Sequence, residues 1–382
     1  MSGEWGFDDE TGNGIPVLRT TNFTNEGVVD YKNVVTRTII KKNIDEKYLR
    51  PGDVIIEKSG GSDKQPVGRV VYFNGPEKTY LFNNFTGLLR VKDQTLWFPK
   101  YIFYSLYGNY RRGGTRAFEN KTTGLHNLKV DDYVSRYEIT ELDHKKQIEV
   151  CEYLDKIYKV IKLREEELQK LDDLIKARFV EMFGDVIHNS KKWQVCLFAE
   201  ITSSRLGKML DAKQQTGRNS YPYLANFNVQ WFRFNLENLN KMDFDEKDRA
   251  EFELREGDLL VCEGGEIGRC AVWHNELQPC FFQKALHRVR CNHQIILPDY
   301  LAWWFRYNCD YGGFSALAGA KATIAHLPGA KLKQLQVAVP PMELQEQFAV
   351  FVAQTDKSKV AVQKALDEAQ LLFDSLMQEY FG

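Results

Sequence analysis

The feature that most constrains this chain is that it is written twice. The stretch "LRPGDVIIEKSGGSDKQPVGRVVYF" (Leu49–Phe73) returns about two hundred residues later as "LREGDLLVCEGGEIGRCAVW" (Leu254–Trp273). Pro16, Leu18 and Asn22 of "IPVLRTTNF" fall on Pro222, Leu224 and Asn228 of "YPYLANFNV" at an offset of 206, and Gly52 and Asp53 fall on Gly257 and Asp258 at 205. The offset then settles at 200, where Gly68, Arg69, Phe82, Arg90, His126 and Gln147 meet Gly268, Arg269, Phe282, Arg290, His326 and Gln347. "EMFG" (Glu181–Gly184) and "EYFG" (Glu379–Gly382) close the two copies. A repeat this long makes each copy a domain with its own core, so the chain is one unit used twice.

Each copy opens on turn-rich sequence and passes through β-branched runs, "DVIIE" and "DLLVC". It then enters the aromatic segments "PKYIFYSLY" and "PDYLAWWF". That order predicts a mixed α and β domain. Each copy ends in a segment free of Pro and Gly, roughly 144–182 and 343–380, rich in helix formers. In the first, Leu154, Ile161, Leu168, Ile175 and Met182 recur every seven residues, with Val150, Ile157 and Leu171 as partner positions. In the second, Phe348, Thr355, Val362, Ala369 and Leu376 recur with Phe351, Ala365 and Leu372, a seam of smaller side chains. Two helices packed seam to seam are expected. The alternative is an amphipathic cover on each helix's own domain, because periods of 3.5 and 3.6 separate poorly over about five heptads. Length favours the seam: each helix would span about 55 Å at 1.5 Å per residue, more than one small domain.

The bulk composition narrows the setting. With 43% hydrophobic and 13% aromatic residues, 382 residues supply ample core for two or three folded domains. No run approaches the roughly 20 apolar residues of a membrane span. The start "MSGEWGFDDETG" lacks the basic and apolar parts of a signal peptide, so a cytoplasmic location is expected. Seven cysteines without a CxxC pair argue for reduced, buried thiols rather than a disulfide framework. Net charge is −1, which advertises no polyanionic partner. By region, however, residues 1–140 and 185–342 carry +3 and +2, against −2 for 141–184 and −4 for 343–382. The basic excess sits in the domains and not in the helices.

Several chemistries fail on spacing. "CEGGEIGRC" is neither GxGxxG nor GxxxxGK[ST], and its other copy carries the insertion "KSGGSDKQPVGR", which a phosphate cradle does not accommodate. His287, Cys291 and His293 near Cys262, Cys270 and Cys280 match no zinc-ligand spacing, and the first copy has no equivalent cysteines. His126 and His326 are without a repeated nucleophile or acid, so a turn or packing role is expected for them. Asp53 with Glu57 and Lys58 looks like a nuclease carboxylate cluster, but Val261 and Cys262 stand where Ile56 and Glu57 do. No catalytic residue, cofactor site or metal site is therefore assigned.

Taken together, "IPVLRTTNF", "GDVIIEKSGG", "GDLLVCEGGEIGR" and "VAVPPMELQEQFA", in the order domain, helix, domain, helix, resemble the specificity subunit of a type I restriction-modification system over nearly the whole chain. The resemblance implies an α+β, pseudo-twofold fold: two target recognition domains (1–142 and 185–341) separated by two long antiparallel coiled-coil helices (143–184 and 342–382). It implies a non-catalytic subunit that reads a two-part site on double-stranded DNA and directs methyltransferase subunits, expected to be two, and restriction subunits to it. Two divergent copies suit two unlike half-sites. A scaffold whose paired domains bind proteins is the alternative. The sequence departs from the pattern in two places. The first copy lacks the lead-in Trp193–Gln215, which suggests a shortened start, and "YEITELDHKKQ" replaces "VAVPPMELQEQ" before the first helix. Candidate DNA-binding residues are the polar and basic groups of turn segments: Arg19, Thr21, Asn22, Lys58, Ser59, Arg69, Asn84, Arg111 and Arg112 in the first copy, and Lys208, Asn226, Asn228, Glu263, Arg269, Gln283, Lys284 and Lys321 in the second. Arg suits guanine, Asn and Gln suit adenine, and Glu accepts from cytosine. Arg69 and Arg269, sharing one repeat position, are equally suited to supporting the fold.

Overall fold

The computed structural model describes residues 1–41, 44–122, 125–211, 215–315 and 326–382. The chain divides into two compact units, residues 1–166 with 362–382 and residues 167–361. Each unit therefore takes part of both long helices.

One strand plan serves both units. In the first, Val54–Glu57 is the middle strand of an antiparallel sheet between Val70–Tyr72 and Thr86–Leu89. In the second, Leu259–Cys262 lies between Cys270–Val272 and Leu286–Cys291. Both middle strands are buried at all four positions, which is why they read as continuous apolar runs rather than alternating ones. Beside this sheet Ile15–Leu18 runs parallel to Leu81–Phe82 with Leu18 opposite Phe82, and Ser220–Leu224 runs parallel to Phe281–Phe282 with Leu224 opposite Phe282. Gly68 and Gly268 turn the chain into the next strand at φ of +101° and +78°. A Cβ there would meet Thr115 at 2.5 Å or Phe314 at 3.0 Å, so both geometry and space require glycine.

The shared "GD" has an equally local cause. Asp53, 2% exposed, accepts both arms of Arg90 at 2.7 Å and the backbone N–H of Arg50 at 2.8 Å. Asp258, 1% exposed, does the same with Arg290 at 2.7 and 3.1 Å and with the N–H of Arg255 at 2.8 Å. A buried carboxylate is tolerated where a planar guanidinium forks onto it and the backbone fills its remaining lone pairs.

The structure corrects the repeat register near the end of each copy. Gln147 accepts from the N–H of Phe98 and donates to the carbonyls of Leu96 and Leu142. Gln345 makes the same three bonds with Leu297, Ile295 and Pro340, so Gln345 and not Gln347 is its counterpart. The first long helix thus starts in the same way without the prolines. Likewise Leu128 N–H reaches the Lys58 carbonyl, and Leu327 N–H the Glu263 carbonyl, both at 2.7 Å. That register sets His326 on Asn127, one position from His126. Because side chains alternate faces along a strand, the two histidines are not equivalent.

The long helices run His144–Phe183 and Met342–Phe381, 40 residues each. In the first unit Val150, Leu154 and Ile161 pack with Phe373, Met377 and Phe381 and with Tyr101 and Tyr104 of the helix Pro99–Arg111. In the second unit Ile175, Phe179 and Phe183 pack with Phe348 and Val352 and with Tyr300 and Trp303 of the helix Pro298–Asp310. In each unit the start of one long helix meets the end of the other, so the pair is antiparallel. The two sequence readings merge, since each seam faces the partner helix and its own domain at once. Val362 is buried, while Leu168, Ala369 and Leu376 are half-buried. Leu372 is 51% exposed and Phe373 takes its place, because a straight helix drifts from a strict seven-residue repeat.

These faces have a simple test. Ile161, 5% exposed, lies two positions from Leu163, 53% exposed. We expect Ile161→Ala to cost about 2–3 kcal/mol and Leu163→Ala no more than about 0.5 kcal/mol, read from the urea midpoint. Equal costs would mean that the buried face is misassigned.

Candidate nucleic-acid interface

Three loops converge in each unit. In the first, the 3-10 turn Thr20–Asn22 follows the strand Ile15–Leu18, the glycine-rich segment 58–61 follows the middle strand, and 83–85 follows Leu81–Phe82. The N–H groups of Lys58 and Ser59 donate to the Phe85 carbonyl at 2.8 and 3.2 Å, and Asn83 N–H donates to Leu18 at 2.9 Å. Arg69 ties in the turn, donating to the carbonyls of Thr20 at 2.9 Å and Phe23 at 3.0 Å. The second unit repeats the plan with Asn226–Asn228, 263–265 and 283–285. There Glu263 N–H meets the Ala285 carbonyl and Gln283 N–H meets that of Leu224, both at 2.9 Å. Asn226 donates to the Gly264 carbonyl at 2.7 Å, and Arg269 donates to Asn226 at 2.9 and 3.1 Å.

The side chains presented by these loops differ between units. The first offers Thr21, Asn84 and Phe85, all exposed, with Lys58 and Ser59 half-buried beside them. Lys58 donates to Ser2 Oγ at 2.9 Å, Ser59 donates to Asn127 at 2.6 Å, and burial pulls the lysine's pKa below its ordinary value. Arg19, half-buried, donates to the Asn33 carbonyl at 3.3 Å. The second offers exposed Phe227 and Lys284, with Asn226, Glu263 and Gln283 half-buried. Phe85 and Phe227 are 51% and 56% exposed, and sequence reasoning missed both. A lone Phe reads as core. The available signal was its setting, "NNFT" and "NFN", beside asparagines of tight turns.

Other candidates have side chains engaged within the fold. Asn22 is 2% exposed, and its amide accepts from Arg19 N–H and donates to the carbonyls of Asp30 and Lys32. Asn228 is 1% exposed and binds the backbone of Ala225 and Asn235 in the same way. Arg69 and Arg269 are the turn clamps described above. Arg111 pairs with Asp374 at 2.8 Å, and Arg112 donates to the Phe381 carbonyl, both on the second long helix. Lys208 holds Asp248 and the Asp243 carbonyl. A side chain whose donors and acceptors are already met gains little from a base edge. Lys321 lies outside the described residues.

The carboxylates near the loops are similarly occupied. Burial raises the pKa of Glu57, although Arg69 stands 3.5 Å away. The corresponding Cys262 is a buried thiol pushed up to about 11. Asp53 lies in the Arg90 fork. Among the described residues no group of three or more His, Cys, Asp or Glu side chains gathers as a metal site, and no helix is long and apolar enough to cross a membrane. All seven cysteines are free thiols, five of them buried.

Two domains of one plan, each presenting unlike side chains on the same three loops, define a class. Residues 190–369 match the model of the type I restriction modification DNA specificity domain family. Over the whole chain the fold is that of the type I restriction-modification S subunit from M. genitalium, with a TM-score of 0.59 and 14% identity, covering 100% of this chain and 93% of that one. A chain from a structural study of complex assembly and conformational transition of the type I R-M system matches with a TM-score of 0.54 and 13% identity, covering 100% and 95%. In sequence the chain is similar to a putative type I restriction enzyme MjaX specificity subunit of Methanocaldococcus jannaschii, 23% identical over 176 residues. That match spans 45% of this chain and 41% of the relative. The resemblance drawn from "GDLLVCEGGEIGR" and the domain order is borne out.

Proposed function

We propose that the chain reads a bipartite site on double-stranded DNA, one half-site per unit, and carries methyltransferase and restriction subunits to it without catalysing either reaction. The observation that supports this reading most is the loop cluster. Its backbone is built alike in both units, by the same hydrogen bonds, while the side chains it presents are Thr21, Lys58, Asn84 and Phe85 in one and Asn226, Phe227, Glu263 and Lys284 in the other. Shared scaffold with divergent contacts is what two different half-sites require. The exposed phenylalanines suit apolar contact with a thymine methyl or a wedge between base steps. The most direct test is copurification with a co-expressed methyltransferase subunit, followed by mapping of the methylated sites. Recovery of one two-part sequence is expected, and a chain that copurifies yet yields no site preference would refute the reading.

Lys58 and Lys284 occupy the two loop clusters without standing at equivalent positions, and each is expected to meet phosphate. Changing either to Ala should weaken binding to all duplexes alike and reduce the slope of log K against log salt by about 1, because one counterion fewer is released. A change of base preference at unchanged slope would make the lysine a base reader.

A further inference from the structure

A hollow of about 570 Å³ borders the loop cluster of the second unit. Its walls are the end of the strand Thr202–Leu206 with residues 207–209, the helix Glu246–Phe252, and Lys284. The first wall is bonded directly to the reading loop. Gly207 N–H donates to the Leu286 carbonyl at 3.0 Å, Lys208 N–H to that of Phe282 at 3.2 Å, and Lys284 N–H to that of Lys208 at 2.8 Å. A Cβ at Gly207 would meet the Gln283 carbonyl oxygen at 2.3 Å, so only glycine lets this segment lie against the loop. Lys284 thus belongs to the loop cluster and to the hollow at once.

Four cations line the hollow, and two of them are matched: Arg205 pairs with Glu251, and Lys208 with Asp248. Lys247 and Lys284 are exposed and form no ion pair among the described residues. Asp243 and Asp245, which precede the helix, accept instead from the N–H groups of Gly217 at 2.8 Å and Asp248 at 2.7 Å. The hollow therefore keeps two positive charges in excess, and Met209, 66% exposed, gives it an apolar wall. The first unit does not repeat this. A Cβ at Gly3 would meet the carbonyls of Phe82 and Asn83 as one at Gly207 would meet those of Phe282 and Gln283, so Glu4 stands where Lys208 does. Asn84 stands where Lys284 does, and Glu4 takes Lys41 at 2.7 Å and Lys47.

We infer that the hollow seats the sugar-phosphate backbone of the duplex beside the second half-site, with Lys247 and Lys284 on neighbouring phosphates and Met209 against the deoxyribose. The inference rests on DNA reading by the loop cluster and extends the contact to the helix 246–252. Ammonium groups on flexible stems meet phosphates as point charges. Cations beside an apolar wall match a chain of alternating sugars and phosphates better than a free anion. Such contacts set the register of the reading loop and specify no base.

The probe is a fluorescent random-sequence duplex, titrated with the full chain, alone and with a co-expressed methyltransferase subunit, at about 50 to 200 mM salt. Lys247→Ala should reduce the slope of log K against log salt by about 1 and weaken binding about fivefold at about 0.15 M salt. With Lys284→Ala added, the slope should fall by about 2 and binding by about thirtyfold. Lys247→Arg, which keeps the charge, should restore the slope. Lys247 is exposed, so these chains should fold, and an unchanged Tm checks it. If the unaltered chain binds the duplex and Lys247→Ala leaves the slope unchanged, the inference is overturned while DNA reading stands. If the unaltered chain binds no duplex in either form, both are overturned.

Discussion

Asp258→Ala is expected to cost the second unit about 3 kcal/mol, and Asp53→Ala to cost the first unit a similar amount, since removing one partner of a buried pair leaves the other uncompensated. Arg290 would keep the carbonyl of Glu253, and Arg90 those of Glu46 and Tyr48. The N–H groups of Arg255 and Arg50 would lose their acceptors as well. Asp258→Asn should be milder, because the amide oxygen still accepts from one donor. Double-mutant cycles with Arg290→Met and Arg90→Met, followed by urea denaturation, measure the coupling. Near-equal coupling in both units is expected from the common geometry. A cost below about 1 kcal/mol would show that the pair does not hold the strands together.

Much of this fold was legible because its causes are local. The glycine at 68 and 268, the aspartate at 53 and 258, and the arginine at 90 and 290 each answer a constraint that both units share, so they survive as matched letters. The helix bounds followed from the absence of Pro and Gly. What was not legible has physical reasons too. Insertions moved the true offset down to 198 at Gln147 and Gln345, and a fixed offset of 200 paired the wrong glutamine and the wrong histidine. Asn22 and Asn228 looked like adenine readers because one amide serves equally to cap a turn, and only burial separates the two roles. Arg111 and Arg112 looked basic and loop-borne, yet their partners lie on a helix 263 and 269 residues away in sequence. Phe85 and Phe227 were hidden by the habit of assigning aromatics to cores.

The largest functional effect is expected from exchanging one reader. Each unit has its own core, its own strand plan and its own loop cluster, so residues 1–140 can be replaced by the matching domain of a related chain while the second unit keeps its contacts. The exchange should change one half of the target completely and leave the other intact. Adding a heptad to both long helices acts differently. It lengthens each by about 10 Å, or roughly three base pairs at about 3.4 Å each. Three pairs also rotate the groove by about 100°, so weaker binding should accompany a longer gap.

The measurement that bears most directly on the two-reader account is methylation-site sequencing with the exchanged chain in complex with its methyltransferase subunits. A site with one new half and one unchanged half is the expected result. Two halves that change together, or a site that does not change at all, would contradict it.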